Sequence, residues 1–304
     1  MSGMASWFRQ RVPLDTERTA QLMEKVFLKE PIPKHMKYWY FALGATPLIL
    51  FGFQVITGIL LTFYFIPSPD AAYASVQYIT EEVRMGYWVR GIHRWGSGLM
   101  VIALLLHMVR VFFTRAYRRP RELNWIVGVL LLLLTFAFCF TGYSLVYNQL
   151  SYWATTVGTN MIGEVPLVGP PLLALLRGGT EVTANTLTRF YQLHVGVLPP
   201  AILLVIVLHI VLVRLHGVSE LEGREGEAQY AFYPEHFYHT IIVALFLLTF
   251  MSALTVIFPP GLGAPADPNV TPAHIKPEWY FFAVYAILKL VPLKAGIYLL
   301  TAGT

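Results

Sequence analysis

A single cysteine, Cys139, stands among 304 residues, so the chain can form no disulfide within itself, ligate no iron–sulfur cluster with its own thiols and offer no Cys-x-x-Cys-His site for haem attachment. Charge is scarce too. Asp, Glu, Lys and Arg make up 13% of the residues and 56% are hydrophobic, against about 25% charged in a typical soluble domain. Internal repeats and low-complexity tracts are missing. The first 37 residues are polar and mixed in charge, with no short apolar core before a small-residue site, so no cleavable signal peptide is expected. The net charge of +5 is modest, and the basic residues sit beside the ends of apolar runs. That pattern points to orientation in a membrane rather than to a nucleic-acid partner.

What the chain has in plenty is long apolar runs: Tyr38–Ile66, Ile92–Phe113, Trp125–Tyr147, Phe190–Val213 and Phe237–Phe258. Each exceeds the roughly 20 residues that cross a bilayer as a helix, so the expected fold is all-α, a polytopic transmembrane helical bundle. Seven Lys/Arg lie in 1–37, and Arg115, Arg118, Arg119 and Arg121 follow the second run. The opposite side holds Arg84, Arg90, Arg177 and Arg189. The bias places the N-terminus inside, with runs two and four both leading from outside to inside. Three regions are expected: an inner-side segment 1–37, a four-helix core 38–215, and a C-terminal part 216–304 with the fifth helix and a Pro-rich segment ending in PEWY. The 42-residue stretch Asn148–Arg189, rich in Gly and Pro, reads as a long functional loop.

Four of the nine histidines, His93, His107, His194 and His209, lie inside apolar runs. An ionisable group there is a functional hypothesis by default. A lone one reads as well as a bond to a neighbouring helix, but four in register do not. His93 and His107 are 14 residues apart, and His194 and His209 are 15 apart. Fourteen residues is ~21 Å and close to four turns, so each pair lies near one helix face at two depths. Pairing His93 with His194 and His107 with His209 offers two neutral imidazoles at each depth, as the iron of a bis-histidine haem requires. The fifteenth residue adds ~100° of rotation, which run four is expected to absorb locally, with Pro199 and Pro200 between its histidines.

Gly44 and Gly58 on run one, and Gly128 and Gly142 on run three, repeat the 14-residue period. A helical glycine costs about 1 kcal/mol against alanine, and its missing Cβ lets a flat ligand approach the backbone. Helix packing through small residues does not account for the shared period. Arg90, Arg94, Arg110 and Arg214 lie near the histidines. They read equally as partners of haem propionates and as side chains reaching to the interface.

With those residues in place, the chain resembles the cytochrome b of Rieske/cytochrome b complexes over nearly its full length, in ASVQYITEEV, HRWGSGLMV, PRELNWIVGV, TGYSL, LLRGG, TLTRFYQLHVGVLPP and PEWYFF. The 15-residue histidine spacing is similar to the short photosynthetic type, here fused to the start of its small partner subunit. The resemblance implies the following. Two b haems are held by His93, His194, His107 and His209. Quinol is oxidised near the outer face, with Glu278 of PEWY as proton acceptor and Tyr280 beside it. One electron goes to a Rieske iron–sulfur protein and then a c-type cytochrome, and the other crosses to an inner quinone site. The complex is dimeric and lies in an energy-transducing membrane, that of the bacterial inner membrane. Tyr147, Trp153 and Ala154, with Glu278, are expected to line the quinol pocket. Val146-Tyr147 replaces the family's usual Pro-Trp, and Ala154 stands where the mitochondrial type has glycine.

Two other classes compete: a di-haem anchor of a membrane dehydrogenase, and a transporter relaying protons through histidines. Neither calls for PEWY or the matched glycines. Beyond Lys294 only Ala295–Thr304 remain, and ten residues give a helix of ~15 Å, half the hydrocarbon core. A further small membrane subunit is therefore expected to complete the sixth helix, ahead of truncation or an interfacial course.

The photosynthetic type binds a third haem covalently through a cysteine six residues after a histidine resembling His35, and that position here is Phe41. Phenylalanine has no thiol, and Cys139 is expected to be a small core residue. A haem stain on a denaturing gel should leave this chain blank, and a stained band at its mass would refute the expectation.

Overall fold

The structure is a computed structural model that describes residues 31–219, 223–224, 226–273 and 276–290. The ten residues on which the incomplete sixth helix rests, and most of the 1–37 segment, lie outside these. Ten α-helices occur among the described residues: α1 Ala45–Thr62, α2 Ala72–Glu81, α3 Gly86–Phe113, α4 Glu122–Ser144, α5 Gln149–Gly163, α6 Gly169–Arg177, α7 Ala184–Gln192, α8 Leu198–His216, α9 Phe237–Ile257 and α10 Phe282–Leu290. A π segment, Leu193–Val197, joins α7 to α8 in one continuous helix. Five helical spans are long and apolar enough to cross a membrane: Phe41–Thr62, Gly86–Phe113, Glu122–Ser144, Ala184–His216 and Phe232–Ile257. They coincide with the five apolar runs. Large apolar side chains on them face outward, Leu204 at 71% and Phe246 at 65% exposure. Water would penalise that surface and hydrocarbon does not. The chain is an integral membrane protein.

The described residues fall into two compact units. One comprises 31–55, 95–135 and 200–254. In it a short antiparallel pair, β1 Pro31–Pro33 and β2 Gln229–Ala231, sets Ile32 opposite Tyr230. Next to the pair, His35 is buried, and both its backbone N–H and its Nδ1 meet Glu227 Oε2, at 3.1 and 2.8 Å. The His35 hydrogen bond holds the Glu227 carboxyl below its ordinary range. Lys37 pairs with Glu235 beside it. Within this unit α3 approaches α1 and α9 at Gly96, where a Cβ would overlap the Gln54 amide and come within 3.2 Å of Met251 Sδ. Small residues of this kind let membrane helices pack closely.

The second unit comprises 56–94, 136–199 and the described residues from 255 onward. Here a Cβ on Gly91 of α3 would overlap the Thr255 side chain of α9. The stretch Asn148–Arg189, expected as a loop, is mostly helical. Its residues explain why. Asn148 caps α5, accepting from Ser151 N at 2.8 Å while Ser151 Oγ accepts from Asn148 N at 2.9 Å. Pro170 and Pro171 sit in the first turn of α6, where a missing N–H does no harm. Gly178, at φ 71°, closes α6 in the left-handed conformation. The glycines and prolines that read as loop are therefore the punctuation of a helical hairpin.

Arg177 holds that hairpin. Its guanidinium is buried and donates through Nε to Thr159 Oγ1 at 2.6 Å, through Nη1 to Thr180 O at 2.9 Å, and through Nη2 to Thr156 O and Asn160 Oδ1 at 2.7 and 2.9 Å. Burial lowers its pKa. Replacing it by leucine leaves those acceptors unmet, and Arg177→Leu should destabilise the unit by about 2–4 kcal/mol. Arg177→Lys should recover little, because an ammonium lacks the planar fork. Thermal unfolding in detergent, with proteolysis of the 148–189 segment, measures both.

Candidate functional site

In the second unit, α3 carries His93 and the π segment carries His194. Their ring centres are 6.3 Å apart and the planes cross at 73°. Each Nδ1 meets a threonine hydroxyl. Thr57 Oγ1 of α1 lies 2.9 Å from His93 Nδ1, and Thr141 Oγ1 of α4 lies 3.1 Å from His194 Nδ1. A metal bound at about 2 Å by two imidazole nitrogens, each about 1.2 Å from its ring centre, sets the centres about 6.4 Å apart. The observed spacing fits one iron between the rings, with Nε2 the nitrogen each ring offers. Two imidazoles are the protein ligand set that a bis-histidine haem iron takes.

The π segment explains how a 15-residue spacing serves the same purpose as 14. One extra residue is taken up within Leu193–Val197, where Leu198 N–H reaches Leu193 O. Pro199 and Pro200 follow and supply no N–H to a regular ladder. The insertion therefore sits at His194, immediately before the prolines.

In the first unit, α3 carries His107 and α8 carries His209, each within electrostatic reach of the other. His107 Nδ1 lies 3.3 Å from Arg110 Nη2, and that guanidinium covers the Phe41 ring at 5.3 Å. His209 Nδ1 is buried with no hydrogen-bond partner among the described residues. Arg214 covers the Phe232 ring at 5.6 Å.

The four glycines each face one histidine. A Cβ on Gly44 would lie 3.7 Å from His107 Cε1, on Gly58 3.3 Å from His93 Cε1, and on Gly128 3.4 Å from His209 Cε1. On Gly142 it would overlap His194 Cε1 and lie 3.1 Å from both ring nitrogens. Expected as room for a porphyrin edge, the missing Cβ atoms first make room for the imidazoles.

The other predicted residues gather in the second unit. Arg94 Nη2 donates to both oxygens of Glu278, at 2.7 and 2.8 Å. Arg90 donates to Thr80 Oγ1, Pro260 O and Gly261 O at 3.2, 2.9 and 3.1 Å. Both guanidiniums are thus engaged by protein groups, a placement the spacing did not foretell. Tyr280 is buried against Phe281, ring centres 4.9 Å apart, and burial raises its phenol. The buried Tyr143 hydroxyl, which has no hydrogen-bond partner among the described residues, lies within electrostatic reach of Glu278. Sequence reasoning passed over Tyr143, although it stands in the TGYSL motif.

Tyr147 turns the chain at φ 52°, an unusual conformation for a side-chain-bearing residue. It packs edge-on to Tyr152 at 6.0 Å, and burial raises both phenols. The two rings line a narrow cleft with Ser144, Thr155 and Phe190. Trp153 does not point its polar edge into that cleft: Nε1 donates to Val270 O at 3.1 Å. Ala154 is half-buried on α5. Asn148 Nδ2 donates to Leu262 O at 2.6 Å and Tyr73 OH to Gly263 O at 2.7 Å. Together with Arg90, these bonds moor the segment that leads to PEWY.

The family model described as cytochrome b/b6/petB matches residues 27–217, and that described as cytochrome b(C-terminal)/b6/petD matches residues 265–303. The chain belongs to the cytochrome b/b6 family. Cytochrome b6 of Heliomicrobium gestii is 47% identical over 190 residues, 62% of this chain and 89% of that protein. The cytochrome bc complex cytochrome b subunit of Chlorobaculum thiosulfatiphilum is 38% identical over 302 residues, 96% of this chain and 68% of that protein. A solved structure of a hyperthermophilic respiratory Complex III aligns with a TM-score of 0.81 at 28% identity, over 98% of this chain and 80% of that one. As a member of this family the chain binds haem b and is a membrane-embedded electron-transfer subunit of a bc-type oxidoreductase complex.

The glycine contacts order four substitutions. Gly142→Ala should displace His194 and lower haem content strongly. Gly58→Ala and Gly128→Ala should have smaller effects, and Gly44→Ala, whose new methyl meets only ordinary contacts, the smallest. Pyridine haemochrome assay of the purified variants gives the ranking.

Proposed function

We propose that this chain carries two b haems, one between His93 and His194 and one between His107 and His209, in a quinol:cytochrome c or similar oxidoreductase. The 6.3 Å spacing of the first pair, with both Nδ1 atoms met by hydroxyls, carries the reading. When bound, the haems supply one-electron carriers between an outer quinol site and an inner quinone site. The protein's own residues hold and aim the imidazoles, exclude water with apolar helix faces, and manage protons at the quinol. Oxidation of a quinol to a quinone releases two electrons and two protons. In this reading one hydroxyl proton passes to a Glu278 carboxylate oxygen, which Arg94 positions through paired hydrogen bonds. Tyr280, raised by burial, stays protonated at neutral pH and acts as a donor and a wall rather than a base. Arg110 and Arg214 are the guanidiniums of the first unit proposed to face propionates, while Arg90 moors the PEWY approach.

The partners proposed are a Rieske iron–sulfur protein, a c-type cytochrome and a further small membrane subunit, in a dimeric complex with the N-terminus inside a bacterial inner membrane. The resemblance to bc-type relatives and the arginine distribution support this.

Pyridine haemochrome assay of fully loaded protein should give two haem b per chain, and one or none would refute the assignment. Glu278→Gln should keep the b-haem spectrum and lower quinol oxidation by about 10²-fold or more, the usual scale of acid–base catalysis. An unimpaired rate would remove Glu278 from the mechanism.

A further inference from the structure

The two histidine pairs differ in what meets Nδ1. In the His93/His194 pair, both partners are hydroxyls of residues that directly precede the matched glycines: Thr57 before Gly58, and Thr141 before Gly142. Both threonines are 5% exposed. Fourteen residues earlier on the same helical faces stand Leu43, before Gly44, and Val127, before Gly128. Neither carries a hydroxyl. His107 Nδ1 instead has Arg110 Nη2 beside it at 3.3 Å, which offers no acceptor to an Nδ1–H.

The sense of the Thr141 bond follows from its neighbours. Thr141 Oγ1 lies 2.8 Å from Ala137 O. A carbonyl only accepts, so the single hydroxyl hydrogen points to Ala137, and Thr141 turns a lone pair toward His194 Nδ1. His194 therefore donates from Nδ1 and keeps the Nε2 lone pair for iron. If Nε2 of His93 binds iron, its Nδ1 carries the proton likewise, and Thr57 Oγ1 accepts it.

We propose that Thr57 and Thr141 are positioning residues for the haem between His93 and His194: their hydroxyl oxygens fix the tautomer of both ligands and lower that haem's midpoint potential. An acceptor at Nδ1–H makes the imidazole a stronger base toward its metal. A stronger base favours ferric over ferrous iron. Among the described residues no hydroxyl meets Nδ1 of His107 or His209, so removing these two hydroxyls acts on one haem. The inference rests on the two-haem reading above.

The test is a potentiometric titration of the b haems in the native complex, for wild type, Thr57→Val, Thr141→Val and the corresponding serine variants. Valine keeps the shape of threonine and removes the oxygen. Each valine variant should raise the potential of one b haem only. At a fixed ambient potential its reduced-to-oxidised ratio should rise by about tenfold, or 59 mV for one electron. Serine should restore the wild-type value. Unmoved potentials in valine variants with full haem, or serine behaving as valine, would overturn the proposal. If the valine variants assemble without haem, Thr57→Ala and Thr141→Ala replace them. Haem retained with an unmoved potential overturns the proposal there too, and haem lost in alanine but kept in serine upholds the positioning role. Wild type holding fewer than two b haems would instead sink the two-haem reading itself, so the two failures are distinguishable.

Discussion

A neutral imidazole inside a helix surrounded by hydrocarbon must have its N–H satisfied by the protein, because no water is there to do it. The packing around His93 and His194 follows from meeting that demand twice, with the ring centres 6.3 Å apart. The partner must come from a neighbouring helix, so α1 and α4 must run close to α3 and to the π segment. Close approach at the rings then requires glycine. The acceptor belongs one residue before the glycine, where Thr57 and Thr141 stand. The Thr-Gly dipeptide thus supplies the acceptor and the clearance in consecutive residues.

The π segment answers the same demand from the backbone side. Prolines 199 and 200 leave carbonyls of the preceding turn without their regular donors. The wider i→i+5 turn takes up one residue around His194. Strictly α-helical geometry with 15 residues would rotate one histidine by ~100° away from its partner. An irregularity that would count as a defect elsewhere is what the 15-residue spacing calls for.

Much of this was legible in the sequence, because it is periodic. The histidine and glycine spacings are local arithmetic on α3, α1 and α4, and the five spans follow from apolar length. Thr57 and Thr141 were also within reach, one residue before two of the glycines, but a threonine in an apolar helix carries no signal until its partner is known. The Arg94–Glu278 contact joins residues 184 apart in sequence, and Trp153–Val270 joins residues 117 apart. Spacing cannot show either. The α5–α6 hairpin was misread for a different reason. Gly and Pro mark helix ends as readily as loops, and only the Asn148–Ser151 cap and the buried Arg177 fork tell which applies.

Apolar contact discriminates poorly among helix positions when the solvent is itself hydrocarbon, since a leucine gains little by exchanging lipid for another leucine. The outward faces of the spans, with side chains such as Leu204 and Phe246 largely exposed, therefore say little about arrangement. Discrimination falls to close approach and to polar contact. In the first unit Gly96 admits Gln54 and Met251, and in the second Gly91 admits Thr255. Polar groups within the spans are then of two kinds. Some satisfy themselves within their own helix, as Thr135 does by donating to Leu131 O at 2.9 Å, and these carry no positional information. Others reach another element: Thr57 to His93, Thr141 to His194, Arg90 to the 260–261 carbonyls, Arg94 to Glu278. These four touch a histidine proposed to hold haem or the approach to PEWY, whereas Thr186, donating to Arg177 O at 2.8 Å, and Arg189, donating to Ala174 O at 2.9 Å, tie their span to α6. The four contacts at the histidines and at the PEWY approach thus position helices at the proposed redox and proton-handling sites, so a substitution that loosens the arrangement there should be felt first in the chemistry.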